Sequence, residues 1–211
     1  MRRLPVYILI ETAGGMRGER IEAVKNGLDV MVSKLRQDPF ALESVFISLI
    51  RFDRTAEVIV PLTELELLQI PEIDIPQASP PHTGEALEFL CEQVEKEIIK
   101  SNEGQKGDWR PLLFILTRGV PADKEKFKAV ADRVKRKNFA TIVACTAGSR
   151  NSEEDMKSLT NHVVHLDTAD SSTLSSFFKW VSSSIGVGNL STSSNEDFVL
   201  PPPPPEVQPV I

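Results

Sequence analysis

An α/β fold with a doubly wound, mostly parallel six-stranded sheet, one antiparallel edge strand and helices on both faces is what this 211-residue sequence predicts. Three observations carry that prediction. Apolar runs of strand length alternate along the chain with segments whose apolar residues recur at helical spacing, as in sheets covered by amphipathic helices. The first apolar run, from Pro5 to Ile10, stops at Glu11 and enters a turn of small residues, Thr12-Ala13-Gly14-Gly15-Met16-Arg17-Gly18, before a helix begins. Doubly wound folds present backbone N–H groups and side chains at the carboxyl ends of their strands in this way, and ligands bind at that edge. Finally, residues 44–52 and 56–62 are separated only by Asp53-Arg54-Thr55, too short for a parallel crossover, so they must form an antiparallel hairpin.

Taken in order, the helix after the turn spans about 18–37, with Ile21, Val24, Leu28, Met31 and Leu35 on the face that packs on the sheet. Pro61, near the end of the second hairpin strand, suits a sheet edge, where one N–H goes unused. Residues 63–82 hold Pro71, Pro76, Pro80 and Pro81 with no sustained period and read as a long surface connection. Thr83 is the expected cap of a helix over about 84–101, with Ala86, Phe89, Leu90, Val94 and Ile98 inward. The continuous apolar run 111–116 fits a central strand covered on both faces and ends at Thr117-Arg118-Gly119. A helix at 122–136, a strand at 140–146, a short helix at 152–159, a strand at 162–167 and a helix at 171–185 complete a domain over residues 1–186. Residues 187–211 read as a Ser-rich linker and a Pro-rich tail, Pro201 to Pro205. A proline run is stiff and extended, so it loses little entropy on docking; the tail either docks, in cis or in trans, or stays solvated.

Composition narrows the partners. Net charge is −6, with 24 basic against 30 acidic residues, so nothing favours phosphate neutralisation, and nucleic acid is not expected. No apolar stretch approaches membrane-spanning length. The run after the first arginines is too short for a signal segment, and Cys91 and Cys145 sit in apolar patterns where free thiols are common, so a cytoplasmic protein is expected.

The order strand, glycine-rich turn, helix, hairpin, long loop, helix and strand resembles the von Willebrand factor A domain over residues 4–186. Within that superfamily the chain is most similar to bacterial TerY-like proteins associated with tellurite resistance. That likeness rests on Met1-Arg-Arg-Leu-Pro5, Arg36-Gln-Asp-Pro39 followed by Ala41-Leu-Glu43, Phe52-Asp53, Val60-Pro-Leu-Thr-Glu-Leu65 and the Pro-rich carboxyl end. The resemblance implies a Rossmann-like sheet with a divalent metal at its carboxyl edge, the metal-ion-dependent adhesion site or MIDAS. Its ligands are an Asp-x-Ser-x-Ser loop after the first strand, a Thr before the middle helix and an Asp after the fourth strand. A hard cation of that kind takes oxygen ligands and leaves a position open for a partner's carboxylate.

Matched onto this sequence, the loop falls on Glu11, Thr12, Ala13, Gly14 and Gly15, the Thr on Pro81 (a slip would give His82 or Thr83), and the second Asp on Arg118. Both loop hydroxyls are missing. An arginine's fixed charge would repel a divalent ion by about 8 kcal/mol at ~4 Å and an effective dielectric of ~20. The expectation is therefore a degenerate, metal-free site, with no cofactor, in which Arg118 fills the vacated space and pairs with Glu11. The alternative is a weak Mg²⁺ held by Glu11, Thr12, Thr83 and water, with Arg118 swung into solvent.

By the same resemblance the expected function is a non-enzymatic interaction adaptor of a bacterial TerY-type stress or defence system, its partner a PP2C-type phosphatase or a Ser/Thr kinase. The expected contact residues are Glu11, Thr12, Gly14, Met16, Arg17, His82, Thr83 and Arg118 at the edge, in the stretches 11–18, 76–83 and 118–121, with Pro201, Pro202 and Pro203 in the tail. No serine or cysteine nucleophile, carboxylate pair or His-x-x-x-His spacing supplies catalytic machinery. The glycines after the first strand are not spaced as a dinucleotide loop, although their N–H groups beside Arg118 support an alternative, a sensor of a small anion or nucleotide. The basic run Lys124, Lys126, Lys128, Arg133, Lys135, Arg136 and Lys137 is either a solvated helix face or a docking patch for acidic segments.

Overall fold

The structure, a computed structural model, describes residues 2–75, 79–191 and 198–210. The parts of the expected contact loop at 76–78 and of the linker at 192–197 lie outside the described residues. The strands are β1 (Leu4–Glu11), β2 (Val45–Phe52), β3 (Ala56–Glu64), β4 (Leu112–Thr117), β5 (Thr141–Ala147), β6 (His162–Leu166) and β7 (Gln208–Pro209). The helices are α1 (Glu19–Leu35), α2 (Pro39–Ser44), α3 (Thr83–Glu97), α4 (Lys124–Lys135), α5 (Glu153–Leu159) and α6 (Ser171–Ser191), and a 3₁₀ turn covers Gly14–Met16.

One sheet in the order β3-β2-β1-β4-β5-β6-β7 forms the frame. β1 pairs in parallel with β2 and with β4, and β5 and β6 continue the parallel run. The hairpin places β3 antiparallel on the outer edge, as its short connection requires. β1 and β4 are buried along their whole length because alternate residues enter two cores. Val6, Ile8 and Ile10 pack with α1 and α6, whereas Tyr7 and Leu9 pack with α3, α4 and α5. Phe178 of α6 lies so close to Gly27 of α1 that a Cβ there would come within 2.4 Å of its ring, which is why a glycine occupies the middle of α1.

Three local features differ from the sequence expectation, and the tail takes one of the alternatives left open, adding a seventh strand to the six expected. The turn α2, opened by the Asp38 side chain accepting from Phe40 N at 3.0 Å with Pro39 in the first turn, sits between α1 and β2. α3 stops at Glu97 rather than near 101, and its cap comes from a distant residue: Asp123 accepts from Gly84 N at 3.1 Å and Glu85 N at 2.8 Å, so Thr83 does not cap it. α6 continues past residue 185 to Ser191. The tail docks in cis as a seventh strand, antiparallel to β6, with Val207 buried, the Trp180 indole N–H donating to Pro201 O at 2.9 Å and Val210 N donating to Val163 O at 2.9 Å. Docking of this kind closes an edge that would otherwise present unpaired backbone groups. Among the described residues no helix is long and apolar enough to cross a membrane.

Candidate functional site

β1 and β4 are neighbours at the centre of the sheet, and the chain leaves them in opposite directions, towards β2 and towards β5. That reversal opens a crevice beyond their carboxyl ends, the place where doubly wound sheets bind ligands. Glu11 ends β1 and Thr117 ends β4.

Glu11 is 2% exposed, and one of its carboxylate oxygens, Oε2, accepts three hydrogen bonds: from Thr117 Oγ1 at 2.6 Å, Arg118 N at 2.7 Å and Gly119 N at 3.0 Å. Neutral donors thereby hold a buried carboxylate that would be costly to leave unpaired. They also tie the end of β1 to the turn after β4. The expected ion pair between Glu11 and Arg118 is not formed. Arg118 serves Glu11 through its backbone N–H, while its side chain turns away and donates from Nη1 to Gly15 O at 2.7 Å. Three protein donors already fill Oε2, and the guanidinium is held over Gly15 instead.

The Arg118 side chain lies in a slot made by two glycines. A Cβ on Gly15 would fall 2.6 Å from Nη1, and one on Gly148, whose φ is +78°, would fall 3.4 Å from Nη2. Arg118 Nε is buried without a hydrogen-bond partner, and no carboxylate among the described residues pairs with the guanidinium. Arg20 donates to the same Gly15 carbonyl at 3.1 Å. Beside the guanidinium is a depression of about 450 Å³, lined by Glu11, Ala13, Gly14, Gly15, Ser79, Pro81, Arg118 and Gly119. The Ser79 hydroxyl on its wall is likewise buried without a partner. Pro81 covers Gly119 so closely that a Cβ there would meet it at 2.6 Å.

Other expected contact residues are placed differently. Thr12 is buried and donates from its hydroxyl and its N–H to Phe52 O, fastening β1 to β2, and Met16 is buried in the core. Gly14 is half-buried and Arg17 exposed at the edge. Thr83 is fully buried with an unpartnered hydroxyl, and His82, half-buried, donates its N–H to Asp53 O at 2.6 Å. Pro201, Pro202 and Pro203 lie on the far flank against Trp180 and His162, so the tail and the crevice do not meet. The basic run on α4 is largely matched by acids of its neighbours. Lys126 pairs with Glu85 and Glu88, Arg133 and Lys137 with Glu95, and Lys124 with Asp155. Hydrogen bonds to Glu85 and Glu88 push the Lys126 ammonium well above the usual lysine range. Ser79 falls within the expected stretch 76–83, whereas sequence inspection missed Gly148 as part of the site, since it carries no spacing signal.

As donors for a hard divalent cation the lining residues offer the second oxygen of Glu11 and the Ser79 hydroxyl, with a guanidinium alongside; Thr83 does not line the depression. No group of three or more His, Cys, Asp or Glu side chains arranged to hold a metal occurs among the described residues.

A model of the von Willebrand factor type A domain matches residues 6–180. This chain belongs to the von Willebrand factor type A domain family. Solved structures share its fold at low identity. Proximal thread matrix protein 1 from the mussel byssus is 14% identical with a TM-score of 0.67, over 85% of this chain and 47% of that one. A von Willebrand factor type A protein from Catenulispora acidiphila is 14% identical with a TM-score of 0.60, over 87% and 42%. BatB from Bacteroides thetaiotaomicron is 16% identical with a TM-score of 0.54, over 92% and 100%. The chain spans about half the length of the mussel protein. A search of curated proteins finds no match.

Proposed function

We propose that this von Willebrand A domain is a non-enzymatic protein-interaction adaptor whose carboxyl edge works without a metal ion. Domains of this family commonly serve in protein interaction and adhesion. The observation that carries the metal-free reading is the engagement of Glu11 Oε2 by three protein donors, with the Arg118 guanidinium lying over Gly15. One solved form of the mussel protein has a zinc-occupied MIDAS motif. Here the loop from Glu11 to Gly15 lacks the two serine hydroxyls that the family resemblance assigns to such a motif, and a cation would find one oxygen of Glu11 taken by three protein donors and would have to tolerate Arg118.

The partner proposed from the TerY-like resemblance is a PP2C-type phosphatase or a Ser/Thr kinase of a bacterial stress or defence system. A cytoplasmic setting belongs to the same proposal and agrees with Cys91 and Cys145 both being buried and unbonded. The test is affinity purification of the chain from its host with and without EDTA. Recovery of such a phosphatase or kinase in both conditions is the expected result, and loss of the partner in EDTA would overturn the metal-free reading. A second reading, a sensor of a small anion or nucleotide, draws on the same unpaired guanidinium. It predicts a melting shift with phosphate or nucleotide that depends on Gly14, Gly15 and Arg118.

A further inference from the structure

We propose that the docked tail is itself a recognition surface for a partner protein, which lays an exposed tryptophan ring on the outward ridge of Pro202 and Pro205 and sets a neighbouring carboxylate beside Lys34 and Lys179. This surface lies on the flank at β6 and α6 and goes beyond the edge adaptor, since the tail and the crevice share no lining residue.

Five consecutive prolines, Pro201 to Pro205, leave the backbone little choice. Each ring fixes its own φ, and each residue ahead of a proline is pushed to extended ψ, so Pro201 to Pro204 follow a polyproline II path. Such a rod repeats every three residues and has three faces. Exposure along the tail follows the same period. Leu200 and Pro203, three apart, are half-buried and line a depression beside β6. Pro201 and Pro204, again three apart, are half-buried and line a notch beside α6, where the Trp180 indole donates to Pro201 O. Val199, Pro202 and Pro205 are exposed, Val199 by 69%. The domain has covered two faces of the rod and left the third outward.

That arrangement selects the partner's chemistry. A groove that grips a proline rod from two sides cannot close on this one, whereas a flat ring can stack on the outward pyrrolidines. The rod is stiff and already held by its own domain, so contact with it orders little further chain. Tryptophan presents the broadest apolar face of any side chain to such a ridge. Charge supplies the rest. The notch next to Pro202 has a volume of about 380 Å³ and is lined by Lys34 and Lys179. Lys34 Nζ donates to Ser183 Oγ at 2.7 Å and to Lys179 O at 3.4 Å, both uncharged, and no carboxylate among the described residues pairs with either lysine. On α4, by contrast, Lys124, Lys126, Arg133 and Lys137 all meet acids of the same molecule. In a chain of net charge −6, two unmatched ammonium groups beside one notch complement an acid brought from outside.

The experiment presents the full chain to a displayed library of short peptides with a fixed central Trp and to the same library with Ser in its place. Wild type should retain Trp peptides about tenfold or more over their Ser twins, the scale of an indole partly buried on an apolar surface. Retained peptides should be enriched in Asp or Glu close to the Trp, and Lys179→Glu should cost about threefold. Pro202→Ser and Pro205→Ser, each with the Trp180 indole N–H resonance unmoved, should lose most of the retention. On wild type alone, a retained peptide should move the Val199 methyl and Pro205 ring resonances upfield, as a stacked aromatic ring does, with the Trp180 indole N–H in place. Absence of that upfield movement would overturn the proposal whatever the variants do. So would equal retention of Trp and Ser peptides, no retained peptide, or retention that survives both proline variants. Stronger retention by Val207→Asp, which releases the tail, would make the free proline run the ligand and overturn it as well. Loss of retention in Arg118→Gln would place the peptides at the crevice and do the same. A failure on the flank leaves the edge adaptor standing, because that reading is decided by partner recovery with and without EDTA.

Discussion

The central crevice and the outer flank at β6 treat their polar groups in opposite ways. On the flank, Arg150 reaches Glu153 at 2.9 Å, Asp167 at 3.4 Å and Gln208 at 2.7 Å, while Gln208 donates to Asp167 at 2.6 Å. His165 lies beneath them against Thr146 at 2.8 Å. Each of these groups has a partner, although the nearby Ser152 hydroxyl is buried without one, and the tail strand occupies the exposed sheet edge. At the crevice Glu11 is equally well satisfied, yet Arg118 Nε and Ser79 Oγ are left without acceptors. The chain covers the edge where a foreign strand could add itself, and leaves uncovered the place where its strands end. The covered edge and the uncovered crevice are thus separated in space.

Breaking the flank should give the largest effect. Val207→Asp puts a charge in the buried anchor of the tail and should lower the free energy of unfolding by about 3 kcal/mol in urea titration. Release of the tail should also expose β6 and bring concentration-dependent association, visible by light scattering. A stability like that of wild type would show the strap to be dispensable.

Next comes the satisfied half of the crevice. Glu11→Gln keeps the shape but removes the charged acceptor of three donors, and about 2 kcal/mol should be lost on the same urea scale. An unchanged or raised stability would mean that burial of the carboxylate costs more than its hydrogen bonds return.

The flank should also titrate. Burial, helped by the Arg150 charge and opposed by Glu153 and Asp167, holds the His165 pKa below the usual histidine range. The unfolded chain therefore takes up that proton first as pH falls, so stability from this group is full above about pH 6.5 and declines below it, by no more than about 1.4 kcal/mol per pH unit. His165→Asn should flatten that part of a thermal stability profile, and an unaltered slope would assign the dependence to other groups.

Smaller still is Lys126→Ala on α4. Its pairs with Glu85 and Glu88 are part-exposed and should contribute under about 1 kcal/mol, fading in high salt. Last is Arg118→Gln, which should change stability by less than about 0.5 kcal/mol while abolishing capture of the partner. A large destabilisation would recast Arg118 as a structural residue.

Much of this was legible in the chain. The run from Pro5 to Ile10, the hairpin over Asp53-Arg54-Thr55 and the two-faced strand at 111–116 fix their own conformations by local pattern, and the sheet follows from them. Glu11 and Arg118 could be placed at one edge from the order of elements. Their partners could not be. Whether Arg118 answers Glu11 with its side chain or its backbone N–H depends on the path of a turn that no residue pattern encodes. Likewise Thr12 and Met16 look like edge residues in sequence, but Thr12 is fastened inward to Phe52 O and the 3₁₀ turn at Gly14–Met16 carries Met16 into the core.

The sequence by itself determined the layers, the strand polarity and the absence of hydroxyls at Ala13 and Gly15, because periodicity, connection length and residue type act over short range. The tertiary structure alone decided which groups are satisfied. It placed Asp123 on α3, the tail on β6, and Arg118 between Gly15 and Gly148, because hydrogen bonding and charge pairing between residues far apart in the chain depend on distances of a few ångströms that only packing sets.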